Sequence, residues 1–203
     1  PHGLYGRAVP QAALPATLGR LRERLYPDAS MRRVVKGIEE GTPARMSEVV
    51  ADVLPGRRVA VLSGPNLARE IAAGLPAVSV VASEDADLAA ELGSVLGSDR
   101  FRIYTNPDVV GVELCGAFKN VVALASGFVD GLAFGDSAKA GIITRGLAEM
   151  PRLGVAAGGQ PMTFAGLAWC GRLIAPGRRP PPPRPAAAGR SAQGRPWGAG
   201  RVW

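Results

Sequence analysis

The chain has 203 residues, enough for one domain or two small ones, and 47% of them are apolar, which allows a sizeable core. Its net charge of +7 would suit an anionic partner such as nucleic acid, but seven of the 24 basic residues and none of the 17 acids fall in residues 168–203, so the basicity belongs to the tail. Two cysteines (Cys115 and Cys170) and one histidine (His2) exclude a disulfide scaffold, a zinc site of ordinary spacing and a histidine-based triad.

In chain order, residues 11–26 read as a helix with Leu18, Leu21 and Leu25 on one face and arginines on the other. Met31 to Lys36 reads as a short strand. Met46 to Leu54 reads as a helix stopped by Pro55-Gly56. Arg58 to Leu62 is a strand of the buried type, running into the turn Ser63-Gly64-Pro65-Asn66 and a helix over Leu67–Ala73. A strand over Val78–Ala82, a helix over Asp85–Leu96 and a strand over Phe101–Tyr104 complete the alternation, which argues for parallel βαβ construction. After Asn106-Pro107 the pattern turns helical, placing a domain boundary near residue 105. Two strand ends, Lys36-Gly37 and Ser63 to Asn66, stand where open α/β sheets bind ligands, and a helix start offers backbone N–H groups to an anion. Read alone, they are a surface lysine and an ordinary capping turn.

Val109 to Gly154 reads as two helices joined near Phe134-Gly135. The first carries Val110, Leu114, Phe118, Val121, Val122 and Leu124 among small residues and is too apolar all round for a surface helix, so burial on most sides is expected. Cys115 fits there as a small core residue. Glu113, Lys119 and Asp130 interrupt the run, so no membrane span is expected, and no secretory signal is visible. Lys119 sits in the middle of this helix. Composition alone favours a lysine on a wet stripe; the alternative is an amine whose charge is disfavoured by burial and which exchanges protons near neutral pH, with Gly116 and Ala117 leaving room for a ligand. Asp136, before Ser137-Ala138, reads as the N-cap of the second helix.

The run from Val109 to Met150 contains Gly116-Ala117-Phe118-Lys119-Asn120 and Gly135-Asp136-Ser137-Ala138-Lys139-Ala140. In this it resembles the bacterial-type NAD(P)-dependent glycerol-3-phosphate dehydrogenases, whose core carries G-A-x-K-N followed by G-D-x-x-K-A. Val34-Val35-Lys36-Gly37-Ile38-Glu39, Ser63-Gly64-Pro65-Asn66-Leu67-Ala68-Arg69-Glu70 and the strand end Ala8-Val9-Pro10-Gln11 add to the likeness, which runs from about residue 8 to 168. The resemblance implies Lys119 as catalytic base, substrate binding by Lys36, Gly64, Asn66, Lys119 and Asn120, and cofactor contact by Lys36 and Ala68. It further implies NAD or NADP as cofactor, a glycerol 3-phosphate or glycerone phosphate substrate feeding phospholipid synthesis, a cytoplasmic setting and a possible homodimer.

The expected architecture is α/β: a partial Rossmann-type parallel sheet over 1–105, the start of an all-helical substrate domain over 106–168, and a disordered Pro/Arg/Gly-rich tail over 169–203. The family's G-x-G-x-x-[GAW] turn has no counterpart, since Gly3-Leu4-Tyr5-Gly6 has the wrong spacing, and no R-N pair follows Arg172. With Pro1 in first place, these departures read as a fragment or a reading-frame change, and imply an impaired enzyme. Three other readings stand beside this one: another β-hydroxyacid dehydrogenase, a non-catalytic remnant or interaction module, and nucleic-acid or SH3 binding by the tail. The last rests only on the arginines and Pro180 to Pro183.

Overall fold

The computed structural model describes residues 4–7, 11–25, 30–33, 37–39 and 41–171. Five strands lie side by side in chain order: β1 (Leu4–Arg7), β2 (Ser30–Arg33), β3 (Val59–Ser63), β4 (Ala77–Ala82) and β5 (Phe101–Asn106). β1, β2 and β3 run parallel, as do β4 and β5. Between the two sets the direction reverses, with Val61 opposite Ala82 and Ser63 opposite Val80. The wholly parallel sheet expected from the strand–helix alternation is thus corrected to a mixed one.

The connections explain the reversal. Between β4 and β5 runs α4 (Ala86–Leu96), whose 11 residues carry the chain back along the strand. Between β3 and β4 lies only α3 (Ala68–Ala72), with 5 residues. At 1.5 Å per residue α3 returns the chain by roughly 8 Å, against roughly 17 Å for a strand the length of β3. The chain therefore re-enters the sheet near the end it left.

Alternation along the strands then builds two cores. Ala60, Leu62 and Val81 face α4, meeting Leu88, Ala89 and Leu92. Val61, Val80 and Ala82 face the other way, against Val112, Cys115 and Phe118 of α5 (Val109–Gly131). A third cluster joins Leu14, Leu18 and Leu25 to Met46, Val49 and Val50 of α2 (Met46–Val53) and to Leu54 just beyond it. The helix expected over 11–26 is α-helical only over α1 (Leu14–Leu21), with 3-10 turns at Gln11–Ala13 and Arg22–Arg24.

Asp85 caps α4, accepting from Leu88 N–H at 2.9 Å. Arg58 Nε and Nη2 donate to its two oxygens at 2.5 and 2.9 Å. The hydrogen bonds from Arg58, then that from the Leu88 amide, hold the Asp85 carboxyl down from 3.8 to about 2. Its folded value lies below its unfolded one, so its contribution is present above about pH 4 and lost as the pH falls toward 2. Asp85→Asn, which keeps a capping oxygen, is expected to flatten the acid limb of a urea-midpoint profile in that window. An unchanged limb would show that the pair contributes nothing.

The described chain is helical after β5. α5 is buried on most sides only in its first half; beyond it Val121 is 54% and Leu124 42% exposed. By length and composition α5 is long and apolar enough to cross a bilayer, contrary to the expectation from its three charges. Its apolar first half is accounted for by the sheet, α7 (Pro161–Ala165) and the π-helical turn Leu167–Gly171. α6 (Gly135–Ala156) folds back on α5 through a turn with Ala133 at φ 54° and Gly135 at φ 83°. Phe134, not Asp136, occupies the N-cap and makes no side-chain cap. Asp136 instead stands in the first turn, where its charge suits the helix dipole. Lys139 Nζ pairs with Asp130 at 2.9 Å, tying the two helices. Where α6 meets α7, a Cβ on Gly154 would stand 2.0 Å from Phe164 Cζ, so no larger residue fits without displacing the ring.

Trp169 is fully buried in the α5 core beside Ala168 and Phe164. Trp169 and Cys170 are thus packed, so the expected tail does not begin at 169; beyond residue 171 it lies outside the described residues.

Candidate active site

Two groups of the residues singled out above are brought into place by the sheet. The first is the turn leaving β3. Gly64 has φ +136°, and a Cβ there would lie 3.0 Å from Ser79 Cα and 3.2 Å from Ser79 Oγ. Only glycine lets the turn lie this close on β4. Asn66 Nδ2 donates to Ser79 Oγ at 3.2 Å, and Ser79 Oγ donates to the Ser63 carbonyl at 2.6 Å. Ala68 opens α3 and is exposed, a small side chain at the rim of the turn. With 5 residues and no side-chain cap, α3 is shorter than the helix expected over Leu67–Ala73.

The second group is on α5. Phe118 is buried in the core shared with β3, which sets the neighbouring Lys119 half-buried and Asn120 exposed. Two buried acids fix this helix. Asp108 Oδ1 accepts from Gly111 N–H at 2.7 Å and Oδ2 from Gln160 N–H at 2.8 Å, while Asn106 Oδ1 accepts from Asp108 N–H at 2.8 Å. The same carboxylate thus caps α5 and holds the approach to α7. Glu113 is 5% exposed and accepts from Ser47 N–H at 3.0 Å, from Ser47 Oγ, and from Arg45 Nη1 at 3.4 Å. Its charge sits at the first turn of α2, where free N–H groups favour an anion. Arg45 is also paired with Glu48 at 2.6 Å, so the start of α2 is clamped from both sides.

Gly64, Asn66 and Ala68 therefore share one turn, and Lys119 and Asn120 share the helix packed on the strand that ends in it. Lys36 lies outside the described residues; Gly37 beside it has φ +136°. Ser79, Asp108 and Glu113 were not singled out as functional. Their signals were a serine inside the apolar run Ala77 to Ala82, an acid just after Asn106-Pro107, and an acid in an apolar helix.

Residues 5–89 match the family described as NAD-dependent glycerol-3-phosphate dehydrogenase N-terminus, and residues 108–179 match its C-terminus. The chain belongs to the NAD-dependent glycerol-3-phosphate dehydrogenase family. The match extends past residue 168, where the likeness was expected to end. A glycerol-3-phosphate dehydrogenase [NAD(P)+] from Thermobifida fusca is 55% identical over 170 residues, covering 83% of this chain and 51% of that protein. One from Desulfitobacterium hafniense is 47% identical over 167 residues, 82% of this chain and 47% of the relative. The crystal structure of glycerol-3-phosphate dehydrogenase from Coxiella burnetii superposes with a TM-score of 0.86 at 37% identity, over 94% of this chain and 58% of that one. The chain spans about half the length of the curated relatives it matches.

The family's nicotinamide cofactor is only partly matched by the residues at hand. Ala68 leaves space at the rim of the β3 turn. Among the described residues no glycine-rich strand-to-helix turn would hold a pyrophosphate, because β1 is followed by the 3-10 turn Gln11–Ala13. The residues of the β3 turn and of α5 therefore carry the functional reading.

Proposed function

We propose that the chain carries the substrate-facing and proton-transferring part of a glycerol-3-phosphate dehydrogenase, acting on the glycerone phosphate/sn-glycerol 3-phosphate pair. The nicotinamide of NAD or NADP supplies or accepts the hydride. Lys119 takes the hydroxyl proton in the oxidative direction and returns it to the carbonyl oxygen in the reductive one. Asn120, Lys36, Gly64 and Asn66 hold the polyol phosphate, and Ala68 and Lys36 border the cofactor. A division near residue 105 into a Rossmann-type and a helical part, a cytoplasmic homodimer and supply of a phospholipid precursor belong to the same proposal, supported by the family likeness.

One observation carries this reading: a half-buried amine stands mid-helix on a helix fixed at its start by two buried carboxylates. Proton transfer needs such an amine held at a set distance from a bound hydroxyl. Calorimetric titration of the chain should show binding of glycerol 3-phosphate and of glycerone phosphate, and none of glycerol. Absence of binding by both phosphates would sink the reading.

A further inference from the structure

The loop that leads from β2 to α2 closes on itself. Ile38 bridges Arg45 in the antiparallel sense, and the Ala44 carbonyl accepts from Glu39 N–H at 2.8 Å. Ile38 is partly buried against the core that holds Phe118, so the first arm of the loop rests beside α5. The second arm runs straight into α2, with Arg45 at its N-cap and Ser47 in its first turn. Both reach one carboxylate. Glu113 Oε1 accepts from Ser47 N–H at 3.0 Å, and Oε2 accepts from Arg45 Nη1 at 3.4 Å. Lys119 stands six residues further along α5, roughly 9 Å at 1.5 Å per residue. Glu113 thus joins two stretches: the loop that follows Lys36 in the chain, and the helix that carries Lys119 and Asn120.

We infer that Glu113 is a positioning residue: its carboxylate holds the loop leaving β2 in register with α5, and so sets the spacing of the substrate contacts that the two stretches supply. This rests on the substrate-site reading above. Stiffness is what the carboxylate adds. The apolar contact of Ile38 is non-directional and tolerates sliding. Hydrogen bonds weaken steeply off their axis, and those to an ionised acceptor are the stronger kind. Two donors on one carboxylate, from Arg45 and Ser47, therefore fix both the distance and the rotation of the loop. Glu113 is 5% exposed, so water does not readily replace either donor. A shift of about 1 Å, even one that starts away from the reacting atoms, is enough to spoil a near-attack geometry.

Hydrogen exchange and calorimetric titration of the chain, both far below its unfolding midpoint, test this. Glu113→Gln keeps an acceptor for Ser47 N–H and loses the charge that draws Arg45. It is expected to speed exchange of the Glu39 amide about tenfold, the worth of one hydrogen bond, and to leave the Leu92 amide in α4 unchanged. The same variant is expected to weaken glycerol 3-phosphate about threefold to tenfold. A residue that acts through the loop falls silent once the loop's own contact is gone. In a Lys36→Gln background the Glu113→Gln loss should therefore shrink toward nothing, whereas in an Asn66→Ala background it should persist in full. Unchanged exchange at Glu39, unchanged affinity, or a loss equally large in the Lys36→Gln background would each overturn the assignment and leave the substrate site standing. A parent chain that binds neither glycerol 3-phosphate nor glycerone phosphate would overturn the substrate reading and the assignment with it.

Discussion

Lys119→Met is expected to slow the reduction of glycerone phosphate at least about a hundredfold, the lower end of what a general acid or base contributes, and to leave the chain folded. Methionine has similar length and helix propensity, and at a half-buried position the exchange keeps the packing of the stem while removing the ammonium and the interaction it makes. The change in stability should stay within about 1.5 kcal/mol, the worth of one hydrogen bond. The measurement compares variant and parent for substrate-dependent oxidation of NADPH and NADH, alongside urea unfolding of each. Turnover at the parent rate would remove Lys119 from the chemistry. Loss of turnover together with loss of the fold would make it a structural lysine instead.

Glu113→Ala should act the other way, through the fold. Its side chain is 2% exposed and receives a backbone amide, a hydroxyl and a guanidinium from the start of α2. Hydrogen bonds to a charged group contribute about 1.5–3 kcal/mol each, and breaking a buried pair costs about 3–5 kcal/mol. Arg45 is 22% exposed and keeps Glu48 as a partner, so water and that second acid recover part of the loss. A net cost of about 2–4 kcal/mol is expected, read from the urea midpoint, with a smaller loss for Glu113→Gln, which keeps one acceptor. A cost under about 1 kcal/mol would show that α2 and α5 are held by their apolar contacts alone.

The sequence offered a role for one of these residues only. Lys119 drew its proposed role from the resemblance carried by the long local pattern of its neighbours. Glu113 appeared only as an interruption, because its partner Ser47 lies 66 positions away and no spacing rule spans that distance. The same division holds for the sheet. The runs over β3, β4 and β5 announced strands, but a strand buried on both faces reads alike in either direction, so the reversal at β4 did not show. Its trace was the five-residue α3, where the sequence suggested a helix from Leu67 to Ala73. Asp136 looked like a cap because an acid before small residues usually is one; the backbone turn through Ala133 and Gly135 starts α6 two residues earlier, with Phe134 at the N-cap. Trp169 was hidden by the shift in composition that begins beside it. Its place is set by the core of α5.

The order of the strands also bears on how the chain is made. Among the described residues each strand from β1 to β5 lies beside the one before it in sequence, and none is inserted between two already paired. Neighbour-to-neighbour closure keeps loop entropy low at every step. A chain leaving the ribosome can add each strand to the last free edge as it emerges, so that the sheet lengthens in pace with synthesis. α5, whose apolar first half needs β3 and β4 for cover, then finds its surface already built when it arrives.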